Sequence, residues 1–126
     1  MINKQKQIEY WIESAKNDIE TAELLIQNNK YLHGLFFCHL VIEKAVKSHV
    51  VKSTNQIPPK SHNLLFLADK TDLEISEDYG IFFGILMKYQ LQGRYPDYNP
   101  NVPSQQTVLS YLTKTKDLLK WIEEQL

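Results

Sequence analysis

Apolar residues recur with the period of an α-helix along most of this 126-residue chain, and this pattern restricts the possible folds more than any other feature. The first apolar stripe comprises Ile8, Trp11, Ile12, Ala15, Ile19, Ala22, Leu25 and Ile26. Spacings of three and four residues bring such side chains onto one face of a helix. No stretch shows the strict alternation of a β-strand. The sequence therefore predicts an all-α protein.

Turn-forming residues divide the helical pattern into separate helices. Residues 28–29, both asparagine, interrupt the first stripe, and a second helix is predicted from about Tyr31 to Lys52. Two prolines at 58–59 cannot continue that helix, because proline has no backbone N–H and clashes with the preceding turn. The connections between long helices are thus short, which favours antiparallel neighbours.

Serine residues mark the expected starts of the remaining helices, since a serine hydroxyl can accept from free backbone amides at a helix start. Ser61 is expected to cap a short third helix, Ser76 a fourth helix that ends near Gly93, and Ser104 the last helix. We therefore predict an antiparallel up-and-down four-helix bundle with a short additional helix, forming one domain over residues 1–126.

Charge and composition exclude several classes of protein. The formal net charge of −1 and the pI near 6.4 do not suit extended, nonspecific binding along a nucleic-acid backbone, although a local pocket for one phosphate or one RNA end remains compatible. The lone Cys38 cannot form an intramolecular disulfide and is expected in the core. The longest apolar run, residues 81–87, is too short to span a bilayer. We expect a cytoplasmic protein without a membrane segment.

Two helices carry apolar residues at adjacent positions, over 35–38 and 81–85. These helices either make broad contacts inside one bundle or bury a second face against another copy of the chain. Gly34 and Gly84 would allow a close approach of the second backbone. We favour a homodimer, since a small bundle has few places to bury phenylalanine on both sides of a helix.

The single arginine of the chain, Arg94, stands against thirteen lysines and precedes Tyr95, Pro96 and Asp97. Its planar guanidinium can bind a carboxylate or a phosphate through two parallel hydrogen bonds. Two roles remain open: a structural pair with Glu43 or Asp97, and a contact with a nucleotide or RNA phosphate. Tyr95 could stack on a base or lie in the core, and Asp97 could simply form a turn.

A polar stripe follows the second helix, because His39, Glu43 and Lys47 are spaced four residues apart. The stripe could form the floor of a pocket, but the solvent edge of the helix, with Glu43 and Lys47 as a surface pair, is the favoured interpretation. His62 precedes the third helix and could bond to the loop. The four histidines lack metal-ligand spacing, so no metal or other cofactor is expected.

Four short segments in this order resemble the boxes of the HEPN (higher eukaryotes and prokaryotes nucleotide-binding) domain family. They are Ala15-Lys16-Asn17-Asp18, Val41-Ile42-Glu43-Lys44-Ala45-Val46-Lys47, Ser61-His62-Asn63-Leu64 and Arg94-Tyr95-Pro96-Asp97. The resemblance covers nearly the whole chain and implies a helical bundle that usually dimerises. It also implies a minimal nucleotidyltransferase as partner, in some cases as a toxin–antitoxin pair, and nucleotide or RNA as ligand.

Ribonuclease members of the family use an arginine followed four to six residues later by a histidine, and no histidine follows Arg94 here. The sequence therefore favours a dimeric module that binds a nucleotide or RNA, or contacts its partner, without catalysis. The alternatives are a metal-independent ribonuclease with a degenerate site, whose histidine comes from elsewhere in the fold, and a noncatalytic structural dimer. The expected ligand-binding residues are Arg94, Tyr95, Asp97, Lys47, Glu43 and His39, with His62 beside them.

Overall fold

The computed structural model of the chain describes residues 2–94 and 101–126, and it describes side chains over 2–90 and 101–126. The described residues form five helices and no strand, which confirms the predicted all-α class. The helices are α1 (Lys4–Gln27), α2 (Tyr31–Thr54), α3 (Leu64–Ala68), α4 (Glu77–Arg94) and α5 (Gln105–Glu124).

The helix ends follow local hydrogen bonding, and most of the expected boundaries are confirmed. Ser76 Oγ accepts from the backbone N–H of Tyr79, and Ser104 Oγ accepts from that of Thr107. Asn29 ends the first hairpin turn with a φ of 62°, a left-handed conformation that asparagine tolerates better than most residues.

The expected cap of α3 is wrong. The side chain of Asn63, not Ser61, accepts from the backbone N–H of Phe66 at 3.0 Å. Ser61 instead accepts from the N–H of Asn63 at 3.1 Å, within the preceding loop. The helix starts two residues later than a Ser61 cap requires because Leu64 and Leu67 are the residues that this segment buries.

α2 lies at the centre of the fold and contacts each of the other four helices. This position explains its adjacent apolar residues, since neighbours on several sides bury Leu35, Cys38, Val41 and Ile42 completely. α4 likewise buries both Phe82 and Phe83 within the same chain. One copy of the bundle thus hides both phenylalanines of α4, whereas Phe36 and Phe37 of α2 are only partly buried.

The two glycines chosen for close backbone approach lie in different surroundings. Gly34 does make a close contact, but with α1 of the same chain, where a Cβ would lie 3.2 Å from the carbonyl oxygen of Ala22. A Cβ on Gly84 would meet nothing within 4 Å. Beside it, Ile81 is 60% exposed, so the first residue of the apolar run over 81–87 lies on the outer face of α4.

α4 and α5 meet through aromatic side chains. The ring of Tyr111 on α5 lies 6.0 Å from that of Phe82 and 6.1 Å from that of Tyr89. Within the described part of the chain, no helix has the length and apolar character needed to cross a membrane.

Candidate functional site

A buried polar cluster lies where α2 meets the loop that leads into α3. His39, Glu43 and Lys47 share one face of α2 and are 0%, 4% and 6% exposed. The favoured interpretation of this stripe as a solvent edge is therefore wrong. Charged groups that are removed from water need partners to offset the lost hydration, and the cluster supplies them.

Glu43 is the centre of this cluster. Its Oε2 accepts from Nζ of Lys47 at 3.0 Å, and its Oε1 accepts from Nδ1 of His62 at 2.8 Å. Nδ1 of His39 lies 3.7 Å from the same Oε1. One carboxylate thus faces an ammonium group and two imidazoles, an arrangement that the spacing on α2 alone could not reveal because His62 comes from another segment.

Two bonds from α2 hold His62 in place. Nε2 of His39 donates to the backbone carbonyl of His62 at 2.9 Å, so this nitrogen carries a proton because a carbonyl oxygen only accepts. Glu43 holds the imidazole of the same residue. The main chain and the side chain of His62 are therefore positioned independently, by two residues one helical turn apart.

The imidazole of His62 belongs to the buried cluster and also reaches the surface, since its side chain is 47% exposed. A carboxylate cannot donate, so Nδ1 of His62 carries the proton in its bond with Glu43. The neutral ring consequently has its lone pair on Nε2, the form in which imidazole acts as a base. Of the four residues that form this cluster, His62 is the most exposed.

Lys47 extends the cluster to α1. Its Nζ lies 5.2 Å from the ring centroid of Trp11, within the range of a cation–π contact. Sequence reasoning assigned Trp11 only to the apolar stripe of α1, and the buried Nε1 of this indole has no hydrogen-bond partner within the part of the chain that the structure describes. The one sequence signal for a polar role of Trp11 was its residue type, because its indole N–H distinguishes it from the aliphatic residues of the stripe.

A second polar contact joins α1 to α2 beside the cluster. Nζ of Lys44 lies 2.7 Å from Oδ2 of Asp18 and donates to Oγ of Ser14 at 2.8 Å. Asp18 and Lys44 belong to the first two boxes of the resemblance, and the structure brings these boxes together. The pair is mostly shielded from water and fixes the register of α1 against α2.

The Arg94 box falls largely outside the described part of the chain. The backbone of Arg94 ends α4, close to the predicted end at Gly93, but its side chain is not among those described. Tyr95 and Asp97 lie outside the described residues. The proposed pairs of Arg94 with Glu43 or Asp97 therefore stay predictions.

An exposed apolar surface follows His62 on α3, and sequence reasoning missed it. Leu65 and Phe66 are 47% and 45% exposed. Nζ of Lys70 lies 4.8 Å from the ring centroid of Phe66. An aromatic ring and a cation thus occupy the segment that also presents the imidazole of His62, a combination used for stacking on nucleobases.

A hollow elsewhere on the surface shares no residue with the polar cluster. It has a volume of about 440 Å³ and is lined by residues from the start of α1 together with Lys52 and Leu126. Among the described side chains, no group of three or more His, Cys, Asp or Glu residues is arranged to hold a metal ion.

Comparison with solved structures shows the same fold in two proteins. TT1696 from Thermus thermophilus superposes with a TM-score of 0.81 at 24% identity, over 95% of this chain and 98% of that one. ST0689, an archaeal HEPN homologue, superposes with a TM-score of 0.63 at 21% identity, over 94% and 96% of the two chains. No curated protein sequence matches. The model of the HEPN domain matches residues 8–125, and the chain therefore belongs to the HEPN domain family.

Proposed function

We propose that this protein is a cytoplasmic, dimeric HEPN module that binds a nucleotide or single-stranded RNA and works with a nucleotidyltransferase partner, as a toxin–antitoxin or defence pair. The observation that carries the ligand-binding part is the half-exposed imidazole of His62, held against the buried Glu43. Family membership supports the rest of the proposal.

The ligand chemistry follows from the residues around His62. Phe66 offers an exposed ring for a base, and Lys70 adds a positive charge beside it. Stacking on an aromatic side chain contributes about 1 to 3 kcal/mol per base in single-stranded nucleic acids. Arg94 is the proposed phosphate contact, because a guanidinium matches two phosphate oxygens at once.

Binding is tested with a fluorescein-labelled single-stranded RNA and, separately, with a fluorescent ATP analogue, both by fluorescence anisotropy. We expect Arg94→Lys to keep the fold and weaken binding at least several-fold, since an ammonium group cannot form the two parallel bonds. Phe66→Ala should weaken RNA binding as well. Lys120→Ala, an exposed substitution on α5, is the matched control and should leave the affinity unchanged.

An unchanged affinity of Arg94→Lys, together with a lower melting temperature, would contradict the phosphate role. That result would favour the noncatalytic structural dimer, in which Arg94 locks the end of α4.

Dimerisation is supported by the outer face of α4, where Ile81 is exposed and Gly84 leaves the backbone uncovered. Large apolar side chains in water favour association when a complementary surface is present. Light scattering at tens of micromolar should give the mass of a dimer, and Ile81→Lys should shift it toward that of a monomer. Leu24→Lys, at an equally exposed leucine of α1, is the control.

The partnership is tested by co-expression. The proposal expects a gene for a small nucleotidyltransferase beside the gene for this chain. The two proteins should purify together, the chain alone should arrest growth, and the partner should relieve that arrest. A neighbouring gene of another kind, or no growth effect in either direction, would contradict this part of the proposal while leaving ligand binding intact.

A further inference from the structure

We propose that two copies of this chain pair through the outer faces of their α4 helices, side by side and antiparallel, in one defined register. In that register Ile81 of each copy packs against Gly84 of the other. Glu77 of each copy forms an ion pair with Lys88 of the other. The inference rests on the proposed function in one respect, that the chain is a dimer, and it deepens that function by naming the contacts and the relative direction of the two copies.

Four residues form one exposed stripe along α4. Their spacings of four, three and four residues bring them onto one face of the helix, the pattern by which paired helices contact each other. We call this stripe the α4 seam, and it comprises Glu77, Ile81, Gly84 and Lys88, all of them exposed. Phe82 and Leu86, which are buried, lie on the opposite side of the helix. The α4 seam therefore faces away from the rest of the bundle.

The middle of the α4 seam has the character of a contact surface. Ile81 is 60% exposed, and no charged residue occurs between Asp78 and Lys88. The exposed side of α5, by contrast, carries Lys116 and Lys120 within its central turns. Covering an exposed isoleucine with a complementary surface removes apolar area from water, and this favours association.

Gly84 provides the gap that the isoleucine needs. A Cβ built on this glycine would meet nothing within 4 Å, and its φ is not positive. Neither packing inside one copy nor backbone conformation therefore explains a glycine here, although glycine destabilises a helix interior relative to alanine. A second helix does explain it, because a residue without a side chain lets another helix approach closely.

The order of the residues in the α4 seam is self-complementary about a two-fold axis. In an antiparallel pair related by such an axis, if residue i of one copy opposes residue j of the other, then j also opposes i. With the axis between positions 82 and 83, position 81 opposes position 84, and position 77 opposes position 88. The apolar side chain thus meets the gap in the same register in which acid meets base. A parallel pair would instead place Glu77 against Glu77 and Lys88 against Lys88, and like charges repel.

The two charged residues of the α4 seam are available to a second copy. Within the described part of the chain, neither Glu77 nor Lys88 forms an ion pair. The neighbouring acid Asp78 is already held by Lys114, at 2.8 Å. Because exposed ion pairs add little to affinity, the pairs between copies serve mainly to set direction and register, and Ile81 supplies the apolar contact.

The antiparallel pairing separates the proposed phosphate contacts of the two copies. α4 ends at Arg94, and the rise of a helix puts the two Arg94 backbones about 35 Å apart along the paired helices. Each copy therefore binds its own nucleotide or RNA end, and no ligand is shared between the two arginines.

Crosslinking tests the direction and the register. Glu77→Cys and Lys88→Cys are purified separately, then treated with a short bismaleimide alone and as a mixture, at tens of micromolar. The mixture should give a covalent dimer, since positions 77 and 88 oppose each other. Each variant alone should not, because two copies of position 77 lie roughly 17 Å apart in this register. The native Cys38 is 0% exposed and does not compete for the reagent.

Charge reversal provides a second measurement, the Kd of the dimer by sedimentation equilibrium. Glu77→Lys and Lys88→Glu should each raise this Kd about 5- to 30-fold, because every dimer loses two ion pairs. The double variant, which exchanges the two charges, should return to within about two-fold of the wild-type Kd. Glu20→Lys, at an exposed acid of α1, is the control and should leave the Kd unchanged.

The outcomes separate this inference from the proposed function. A wild-type protein that stays monomeric at tens of micromolar would remove the proposed dimer and the inference together. A dimer in which each cysteine variant crosslinks to itself, or in which the mixture gives no crosslink, would keep the dimer and overturn the antiparallel register. A double charge variant as weak as the single variants would overturn it as well.

Discussion

A Cβ atom built on Gly34 would lie 2.5 Å from Cγ1 of Ile26. The two residues face each other across α1 and α2 near the turn that joins them, and this separation is shorter than van der Waals contact allows. The absence of a side chain at position 34 therefore sets how closely the two longest helices approach. Ala22, with its small side chain fully buried, lies at the same contact.

Gly34→Ala should lower the free energy of unfolding by about 1 to 3 kcal/mol, the usual cost of overpacking, even though alanine is the better helix former. Gly80→Ala is the matched control, since a Cβ there meets nothing within 4 Å. It should stabilise the protein by about 0.5 to 1 kcal/mol. Urea denaturation measures both, and equal shifts of the two variants would contradict the close contact at Gly34.

Glu43→Ala should destabilise the protein by about 3 to 5 kcal/mol, because it leaves the ammonium group of Lys47 buried without a carboxylate. Glu123→Ala provides the comparison, since it removes a partner of Lys16 at 2.6 Å in a pair that is 42% and 38% exposed. Exposed pairs contribute about 0 to 1 kcal/mol. If the m-value is unchanged, the midpoint of urea denaturation should fall much further for Glu43→Ala than for Glu123→Ala. Similar losses of stability in the two variants would mean that Glu43 is solvated.

The helices were predictable from the sequence because each depends on local information. The apolar stripe of α1 identifies that helix by its period. The helix boundaries depend on residues within a few positions of them, namely the paired asparagines after α1 and the serines at 76 and 104. The prediction of Ser61 as the cap of α3 was wrong because two residues that can cap a helix, Ser61 and Asn63, lie close together in this loop. The choice between Ser61 and Asn63 was decided by which leucines the rest of the bundle buries, and that is a tertiary fact.

The polar site was predictable only in part. The spacing of His39, Glu43 and Lys47 placed them on one face of α2, but a spacing does not show what covers that face. His62 arrives from a loop 19 residues after Glu43, and Trp11 arrives from α1. Both contacts depend on how the helices pack, so burial of the charges could not be derived from the pattern.

His49 should make the stability of the protein depend on pH below about 6.5. Burial lowers its pKa from 6.5, although the carbonyl of Ile122, which accepts from its Nε2 at 2.8 Å, acts in the opposite direction. The folded state therefore favours the neutral ring. Below pH 6.5 the unfolded chain binds the proton first, so the free energy of unfolding falls as the pH falls toward the folded-state pKa, and then levels.

This dependence is isolated by comparing wild-type protein with His49→Gln between pH 5 and 8. All other side chains are the same in the two proteins, so their contributions to the free energy of unfolding cancel in the difference. The free energy of unfolding of the wild type minus that of His49→Gln should stay constant above pH 6.5 and decrease below it. An increase of this difference as the pH falls would show that the folded state favours the charged ring.

Cys38 should be inert toward thiol reagents in the folded protein. Its side chain is 0% exposed, and burial raises the pKa of the thiol to about 11. At pH 8 such a thiol is ionised in roughly one molecule in a thousand, and only the thiolate attacks a disulfide reagent. The absorbance change with Ellman's reagent should therefore be slow in buffer and rapid in denaturing urea. Rapid, stoichiometric labelling without urea would show that the thiol of Cys38 is accessible and would contradict its burial in the core.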